Sequence, residues 1–461
     1  MILNTTAKKQ KSVGLDLTEG SVLRLLLVFA VPIMLTNLIQ QLYSMVDLMV
    51  VGQYVGSVGT VGVSTGGELS DIMTPIATAF ATAGQIYIAQ LVGAKDTKAA
   101  KETIGTLITL MMLVSLVCMF GCIIFCNQIL SLLNCPEEAF SAARQYMIIT
   151  AIGMPFIFGY NAICGVLRGM GESKRPMTFI IVAAVVNIVL DLVLVVFFRM
   201  DVAGTAIATM LAQFGSFAAA FYFMYRNKEQ FDFELKLSYF KMNKKSLLII
   251  LRLGIPQFVR VTCVRFSMLW VNAQINSFGL TVSATNSIGN KLNKFLEVFL
   301  QGVDSASGAM IGQNLGAKKV KRSSQIVWTT LGCTLVIAAV LMSVVLIFPT
   351  QLFRIFTTDT EVIQFGITYL RILAVSILIS AIIGPFNSVV TGCGFVELGF
   401  VIGILDGVIC RIGLSLVYTN VFGLGATGYF WGNATCRILP LCVCLIYYFS
   451  GKWKTRKLLA E

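Results

Sequence analysis

Apolar segments long enough to cross a lipid bilayer follow one another along almost the whole chain. A transmembrane helix needs about 20 apolar residues. Of the 461 residues, 57% are hydrophobic and 12% charged, a balance that a soluble core cannot bury. The sequence therefore predicts an all-α polytopic membrane protein with twelve transmembrane helices, at about 22–51, 58–88, 103–132, 141–167, 177–198, 202–225, 247–277, 284–313, 325–352, 363–391, 397–420 and 425–449.

The twelve apolar blocks fall into two similar halves. QLVGAK at Gln90–Lys95 recurs as QNLGAK at Gln313–Lys318, and GVLRGMG at Gly165–Gly171 recurs as SVVTGCG at Ser388–Gly394, both at an offset of 223 residues. A constant offset indicates an internal repeat. Six spans in the first half leave the second half the same way up, so the halves are parallel repeats about the membrane normal. We predict two pseudo-symmetric six-helix lobes in a V-shaped arrangement.

The predicted domains follow from these repeats and from the polar segments. They are an N-terminal tail at 1–21, an N-lobe at 22–225, an inter-lobe linker at 226–246, a C-lobe at 247–450 and a C-terminal tail at 451–461.

The positive charges predict the orientation. The tails, the linker and the loops on the same side carry 23 of the 35 Lys and Arg residues, whereas the loops on the other side hold only Arg144, Arg199 and Arg354. The positive-inside rule then predicts that both termini are cytoplasmic in a multi-pass plasma membrane protein. Because the net charge of +13 sits in short loops and not on one folded surface, we expect no nucleic-acid partner.

The first apolar block carries a polar stripe. Its polar residues fall at steps of three and four, which place them on one face of a helix: Asn37, Gln40, Gln41, Ser44 and Asp47. A carboxylate at mid-bilayer costs about 3 kcal/mol, so Asp47 should face a hydrated cavity or a partner. The alternative is an aspartate at the headgroup level. Pro32 interrupts the same helix and is a candidate hinge, or a static kink.

Oxygen-bearing side chains in three N-lobe blocks form a candidate cation site. Asn187 and Asp191 lie at i and i+4 in the fifth block, and Thr209 lies in the sixth. With Asp47 they offer the carboxylate, amide and hydroxyl oxygens that Na⁺ requires. Two acids in one apolar pocket could equally carry a proton. The alternative is that these side chains only hydrogen-bond neighbouring helices.

The C-lobe differs because its apolar blocks contain cations. Arg371 and Arg437 are predicted near helix ends, where they reach the membrane surface. The seventh and eighth blocks carry a polar set in the spans themselves: Gln257, Arg260, Arg265, Asn286, Asn290, Lys291, Asn293, Lys294, Glu297, Gln301 and Asp304.

Two explanations account for these intramembrane charges. In the first, Glu297 pairs with Lys294 or Lys291 and Asp406 pairs with Arg411, which gives neutral structural locks. In the second, the surplus cations favour an anionic substrate.

The sequence as a whole resembles the multidrug and toxic compound extrusion (MATE) transporters. The resemblance covers nearly the whole chain and rests on Pro32 and Asp47 in the first span, RGMGESKRPM at 168–177, NIVLD at Asn187–Asp191, VAGTAIAT at 202–209 and the GAK-ended repeats. It implies two lobes that alternate between outward- and inward-facing states and export organic substrates in exchange for Na⁺ or H⁺. It also implies that Asp47, Asn187, Asp191 and Thr209 form the N-lobe cation site.

The chain departs from the family pattern at two places. Leu192 stands where the family often has a proline. Some branches of the family place acids in the seventh and tenth helices, but none occurs between Arg252 and Asn276 or within Arg371–Thr391. We therefore expect no such C-lobe cation site.

The predicted function is a Na⁺- or H⁺-coupled antiporter for small organic molecules, acting as a monomer in the lipid bilayer with no cofactor beyond the coupling ion. A flippase or exporter of an anionic or lipid-linked substrate is the alternative. No Walker loop, metal motif or nucleophile elbow occurs, so an enzyme is not expected. The predicted substrate cavity consists of Asn37, Gln40, Gln41, Tyr43, Ser44, Glu68, Gln257, Arg260, Arg265, Asn290, Lys294 and Glu297.

Overall fold

The computed structural model describes residues 14–133, 135–228 and 241–459. Within the first two helices, the side chains of Ser44, Asp47, Leu48, Ser57, Leu69 and Asp71 lie outside this description. The predicted linker at 226–246 also falls largely outside it.

The described residues form helices joined by short turns. In the first half they are α1 (Val22–Tyr54), α2 (Gly56–Gly93), α3 (Thr97–Ile124), α4 (Cys126–Leu132), α5 (Glu137–Ile152), α6 (Met154–Gly169), α7 (Lys174–Asp191) and α8 (Asp201–Arg226). In the second half they are α9 (Lys244–Asn276), α10 (Leu280–Gly316), α11 (Val320–Ile347), α12 (Pro349–Arg354), α13 (Thr360–Gly392), α14 (Val396–Ile404), α15 (Arg411–Leu416), α16 (Ala426–Thr435) and α17 (Ile438–Phe449). Short π-helical segments at Leu192–Phe197, Leu405–Cys410 and Val417–Val421 follow α7, α14 and α15.

Among the described residues, ten helices are long and apolar enough to cross a membrane. The pair α5 and α6, bent by 44°, makes an eleventh span. Helix α10 is the twelfth: it has 37 residues, but its polar stripe lowers its hydropathy below that of a typical span. The predicted twelve-helix, all-α architecture is confirmed.

The prolines inside the long helices occupy equivalent places in the two halves. Pro32 lies inside α1, and Pro256 lies inside α9 at an offset of 224 residues. Each removes one backbone hydrogen bond from its helix. The hydroxyl of Thr36, one turn later, donates to the backbone carbonyl of Pro32 at 2.7 Å. This carbonyl therefore has a side-chain donor next to the missing backbone hydrogen bond.

The first segments of α1 and α9 cross between the halves. Leu26 and Phe29 of α1 are fully buried in a cluster that otherwise consists mainly of second-half residues. Ile250 and Leu253 of α9 are buried among residues of the first half. Each half thus completes its core with the beginning of the other half's first span, which ties the lobes together.

The lobes also meet where α2 and α10 end. A Cβ at Gly93 would overlap the backbone carbonyl of Gln313, and a Cβ at Gly316 would overlap the carbonyl of Gln90. Both terminal segments lie at this end, because the amide of Leu17 donates to Gln313 at 3.4 Å and the amide of Leu459 donates to Gln90 at 3.1 Å. We call this end of the molecule the terminal end.

Candidate functional site

A narrow cavity lies between α1, α7 and α8 of the first half. It is lined by Tyr43, Ile180, Ala183, Asn187, Thr209, Ala212 and Gln213. The space open to the centre of a water molecule is about 10 Å³, close to what one water molecule needs. The structure therefore brings together three sequence-predicted residues, Tyr43, Asn187 and Thr209, around a space of single-ion size.

Asn187 supplies an amide that the protein does not otherwise use. Its residue exposure is 1%, and neither its Oδ1 nor its Nδ2 has a hydrogen-bond partner among the described residues. Leaving a buried amide unsatisfied costs about 1–3 kcal/mol. A water or a cation in the adjoining cavity would satisfy the oxygen.

Asp191 lies one helical turn beyond Asn187 and is fully buried. It is the last residue of α7, and the π-helix Leu192–Phe197 begins directly after it. Single-turn π segments inside α-helices are frequently found at functional sites. The change of helix type stands where the related family often has a proline.

The polar stripe of α1 is only partly described. Asn37, Gln40 and Tyr43 are half-buried, whereas Gln41 is exposed. The side chains of Ser44 and Asp47 lie outside the described part of the chain, so the predicted role of Asp47 stays a prediction.

The C-lobe charges form a connected network in which Arg437 is central. Its guanidinium donates to Glu297 at 2.8 Å and to Ser380 at 2.6 Å, and it lies 4.0 Å from Asp406. The predicted pairing of Glu297 with Lys294 or Lys291 is wrong, because Arg437 occupies that carboxylate. Arg437 does stand at a helix end, as the N-cap of α17, but it lies in the middle of the span Ala426–Phe449 and binds Glu297, so the prediction that it reaches the membrane surface is wrong. Its place in the middle of an apolar block was the signal for an intramembrane pair.

The predicted pair of Asp406 and Arg411 is present at 3.2 Å. Arg411 is 1% exposed and also donates to Asn433. Arg260 lies close to this network, because its side-chain stem packs against Gly403 in the helix that precedes Asp406. The network therefore neutralises the buried Arg411 and the half-buried Arg437 internally.

Asn290 belongs to a hydrogen-bonded cluster in the C-lobe. Its amide lies 3.4 Å from Asn272, and its oxygen accepts from Tyr369 at 3.3 Å. Asn286 donates to the same Asn272 oxygen at 2.8 Å. Gln257 is half-buried nearer the crossing of α9 with the first half.

Opposite charges occupy repeat-equivalent positions on α2 and α10. Glu68 of α2 is exposed, and so is Lys291 of α10, 223 residues later. Lys294 of α10 is also exposed and lies 18 residues, or about five helical turns, before Gly312. A Cβ at Gly312 would contact Ala89 of the first half at 3.2 Å, so this face of α10 is directed at the other lobe.

The remaining predicted cations of the C-lobe differ in how exposed they are. Arg260 is half-buried, whereas Arg265 and Arg371 are exposed. Arg371 lies inside α13, eleven residues after its first residue, so the predicted position near a helix end is wrong, and its reach to the membrane surface stays a prediction.

Two repeated bundles of six spans that share a crossing region and hold intramembrane charges define a membrane transporter. The MatE family model matches residues 32–193 and again 256–417. The chain belongs to this family, the MATE transporters, and is a multi-pass membrane protein.

Three known proteins illustrate the similarity. The probable multidrug resistance protein YoeA of Bacillus subtilis (strain 168) is 27% identical over 447 residues, which are 96% of each chain. A multidrug resistance MATE transporter of the MOP superfamily, solved in an outward-facing conformation, superposes with a TM-score of 0.89 at 19% identity, covering 96% of this chain and 98% of its own. A MOP superfamily transporter from Pyrococcus furiosus, described as having a binding pocket of reverse polarity, gives a TM-score of 0.90 at 19% identity, covering 97% and 100%.

Proposed function

We propose that the chain is a secondary active transporter that exports small organic molecules by alternating access, in exchange for Na⁺ or H⁺. The observation that carries this proposal is the cavity of single-ion size lined by the buried Asn187, one helical turn from the buried Asp191. YoeA, a relative over nearly the whole length, is named as a probable multidrug resistance protein, which supports a substrate class of varied organic molecules.

The proposed coupling site uses charge neutralisation. Asn187 and Thr209 offer neutral oxygens at the cavity, and Asp191 supplies negative charge one turn away. Asp47 of α1 is the fourth member by sequence position. A bound cation offsets the cost of burying the Asp191 carboxylate, so its binding and release stabilise different packings of α1 against α7 and α8. Pro32 gives α1 a place at which to bend between them.

We further propose that the terminal end is cytoplasmic. The count of Lys and Arg residues in the loops supports this orientation. The hydrogen bonds at this end, including Gln90 to Gly392 at 2.7 Å, would then hold the cytoplasmic side shut. On this proposal the structure represents a state that opens toward the outside.

The test is transport by the purified protein in proteoliposomes. Na⁺ and pH gradients are imposed separately, and the flux of a panel of cationic, neutral and anionic dyes is measured. We expect one of the two imposed gradients to drive a dye against the concentration gradient of that dye. If both gradients leave every flux equal to that of protein-free liposomes, the proposal fails.

A second candidate function is export of anionic substrates. It is favoured by the exposed Lys294 on the face of α10 that is directed at the other lobe, which we call the cleft-directed face, and by the exposed Lys291 one turn before it. The Pyrococcus furiosus relative shows that this fold accommodates a pocket described as having reverse polarity. In the same dye panel, Lys294→Gln should slow anionic dyes more than cationic ones. An equal effect on both would remove this candidate.

A further inference from the structure

Asp304 carries a carboxyl group inside a membrane span, and it is not part of the ion-pair network around Arg437. It lies two turns along α10 from Glu297, on the same face. Its Oδ1 is enclosed and has no hydrogen-bond partner among the described residues. The residue as a whole is half-buried.

The carboxyl group of Asp304 lies directly against the backbone of α13. A Cβ at Gly384 would overlap both carboxyl oxygens and Cγ, so the absence of a side chain there makes room for the acid. The backbone carbonyl of Asp304 also accepts from Ser388 at 3.2 Å. Asp304 is therefore seated in a fitted notch between α10 and α13.

The other acids of this region already have cations. Glu297 is bonded to Arg437 at 2.8 Å, and Asp406 to Arg411 at 3.2 Å. Among the described residues, no cation lies within ion-pair distance of Asp304. The helices packed against α10 are α1, α2, α6, α9, α11 and α13. At Gly302, α1 presents the uncharged Met34. Besides Asp304, the described titratable and charged side chains of α10 and of these helices are Arg24, Tyr43, Tyr54, Glu68, Tyr87, Tyr160, Cys164, Arg168, Lys244, Lys245, Arg252, Arg260, Cys263, Arg265, Lys291, Lys294, Glu297, Lys321, Arg322, Cys333, Glu361, Tyr369 and Arg371. Arg437, between α16 and α17, is bonded to Glu297.

An ionised carboxylate in such a notch is unfavourable. Removing a charge from water without a partner costs several kcal/mol, and a buried acid avoids this cost by taking up a proton. The protonated form also gains an O–H donor, while the carboxylate can only accept. The geometry favours the neutral acid whenever α10 and α13 are packed as they are here.

Helix α13 is interrupted at this contact. Pro385 follows Gly384 and cannot donate to the carbonyl of Ala381 four residues earlier. The hydroxyl of Thr334 on α11 donates to that carbonyl instead, at 2.7 Å. The helix therefore has a replaceable hydrogen bond within one turn of Gly384, the residue that contacts the acid. This makes the α10–α13 contact a place where packing can change.

We propose that Asp304 is a proton-binding site of the C-lobe, distinct from the N-lobe cation site, and that protonation of Asp304 sets the packing of α10 against the interrupted part of α13. A water molecule on one side of the membrane gives a proton to the carboxyl group, which forms an O–H bond. When the contact between α10 and α13 opens, the same proton passes to a water molecule on the other side of the membrane. This assignment deepens the proposed transport function and rests on it for the direction of proton movement.

The test is infrared difference spectroscopy of the purified protein in lipid across a pH titration, which reads the carbonyl stretch of a protonated carboxylic acid without any transport. We expect a wild-type band near neutral pH that disappears as the pH is raised. The band should be missing in Asp304→Asn, whose neutral amide replaces the protonated acid with little change of shape. The control is Glu361→Gln, an exposed carboxylate in the first turn of α13, which should retain the band.

A second measurement separates this inference from the proposed function. Asp304→Asn in proteoliposomes should keep dye exchange at equal pH but lose the drive from a pH gradient. Identical infrared titrations of the wild type and Asp304→Asn would overturn the proton site and leave the transport proposal untouched. Loss of gradient drive in Glu361→Gln as well would overturn the assignment to Asp304. Monodisperse elution of each variant establishes that it is folded.

Discussion

Gln90 and Gln313 make the same pair of hydrogen bonds in opposite directions across the two lobes. Gln90 donates to the carbonyl of Gly392 at 2.7 Å, and Gln313 donates to the carbonyl of Gly169 at 2.9 Å. Each side-chain oxygen accepts from a terminal segment, from the amide of Leu459 at 3.1 Å and from that of Leu17 at 3.4 Å. The internal repeat thus produces a reciprocal lock that both termini complete.

Removing one of these amides should loosen the terminal end. Gln313→Ala leaves the carbonyl of Gly169 and the amide of Leu17 without their partner, at a cost of about 1–3 kcal/mol for each buried group. We expect faster hydrogen–deuterium exchange in the segments around residues 14–20 and 165–172. The control is Gln364→Ala, an exposed glutamine on α13. Unchanged exchange in Gln313→Ala would show that these hydrogen bonds do not stabilise the terminal end.

The close approach of α2 and α10 should not tolerate a side chain. In Gly316→Ala the new Cβ overlaps the backbone carbonyl of Gln90, so either the lobes separate or the backbone shifts. Overpacking of this kind costs about 1–3 kcal/mol, which thermal unfolding in detergent will measure. Gly332→Ala on α11 is the matched control, because nothing lies within 4 Å of its Cβ position. Equal unfolding temperatures for the two variants would contradict the close packing.

The segment before α1 should contribute stability through one side chain. Leu17 is 0% exposed in the second-half core, and Asn314 donates to its carbonyl at 3.0 Å. We expect Leu17→Ala to lower the free energy of unfolding by about 2–5 kcal/mol. Leu15→Ala should change it by less than about 0.5 kcal/mol, since Leu15 is 41% exposed. Similar losses in both variants would mean that this segment is not anchored by Leu17.

Two ion pairs of the C-lobe, Arg437–Glu297 and Arg252–Glu397, should differ in how much they stabilise the fold. Arg437→Gln leaves Glu297 without its cation inside the bundle and should cost about 3 kcal/mol, the lower end of the range for a buried pair. Arg252→Gln breaks a pair whose side chains are 64% and 54% exposed and should cost about 1 kcal/mol or less. Chemical unfolding of both variants in the same detergent measures the difference. The reverse order would contradict the assigned network.

Periodicity and hydropathy predicted most of the fold, because membrane spans must be apolar and helical. They also located the repeat, since its landmarks recur at one offset. They did not predict the partner of Glu297. Lys294 is three residues away in the sequence but is exposed on the cleft-directed face, whereas Arg437 is 140 residues away and reaches the carboxylate through packing. The π-helical segment that follows Asp191 and the one that contains Asp406 likewise depend on tertiary contacts that no local pattern records.

The central claim is that the cavity lined by Asn187, one helical turn from Asp191, holds the coupling ion. It is tested most directly by comparing Asp191→Asn with Asp201→Asn in proteoliposomes under the gradient that drives the wild type. Asp201 is an exposed acid at the start of α8 with a φ of 47°, which asparagine also adopts, so its variant controls for the loss of one carboxylate. We predict that Asp191→Asn loses gradient-driven transport and that Asp201→Asn retains it. Wild-type gradient dependence in Asp191→Asn would contradict the account.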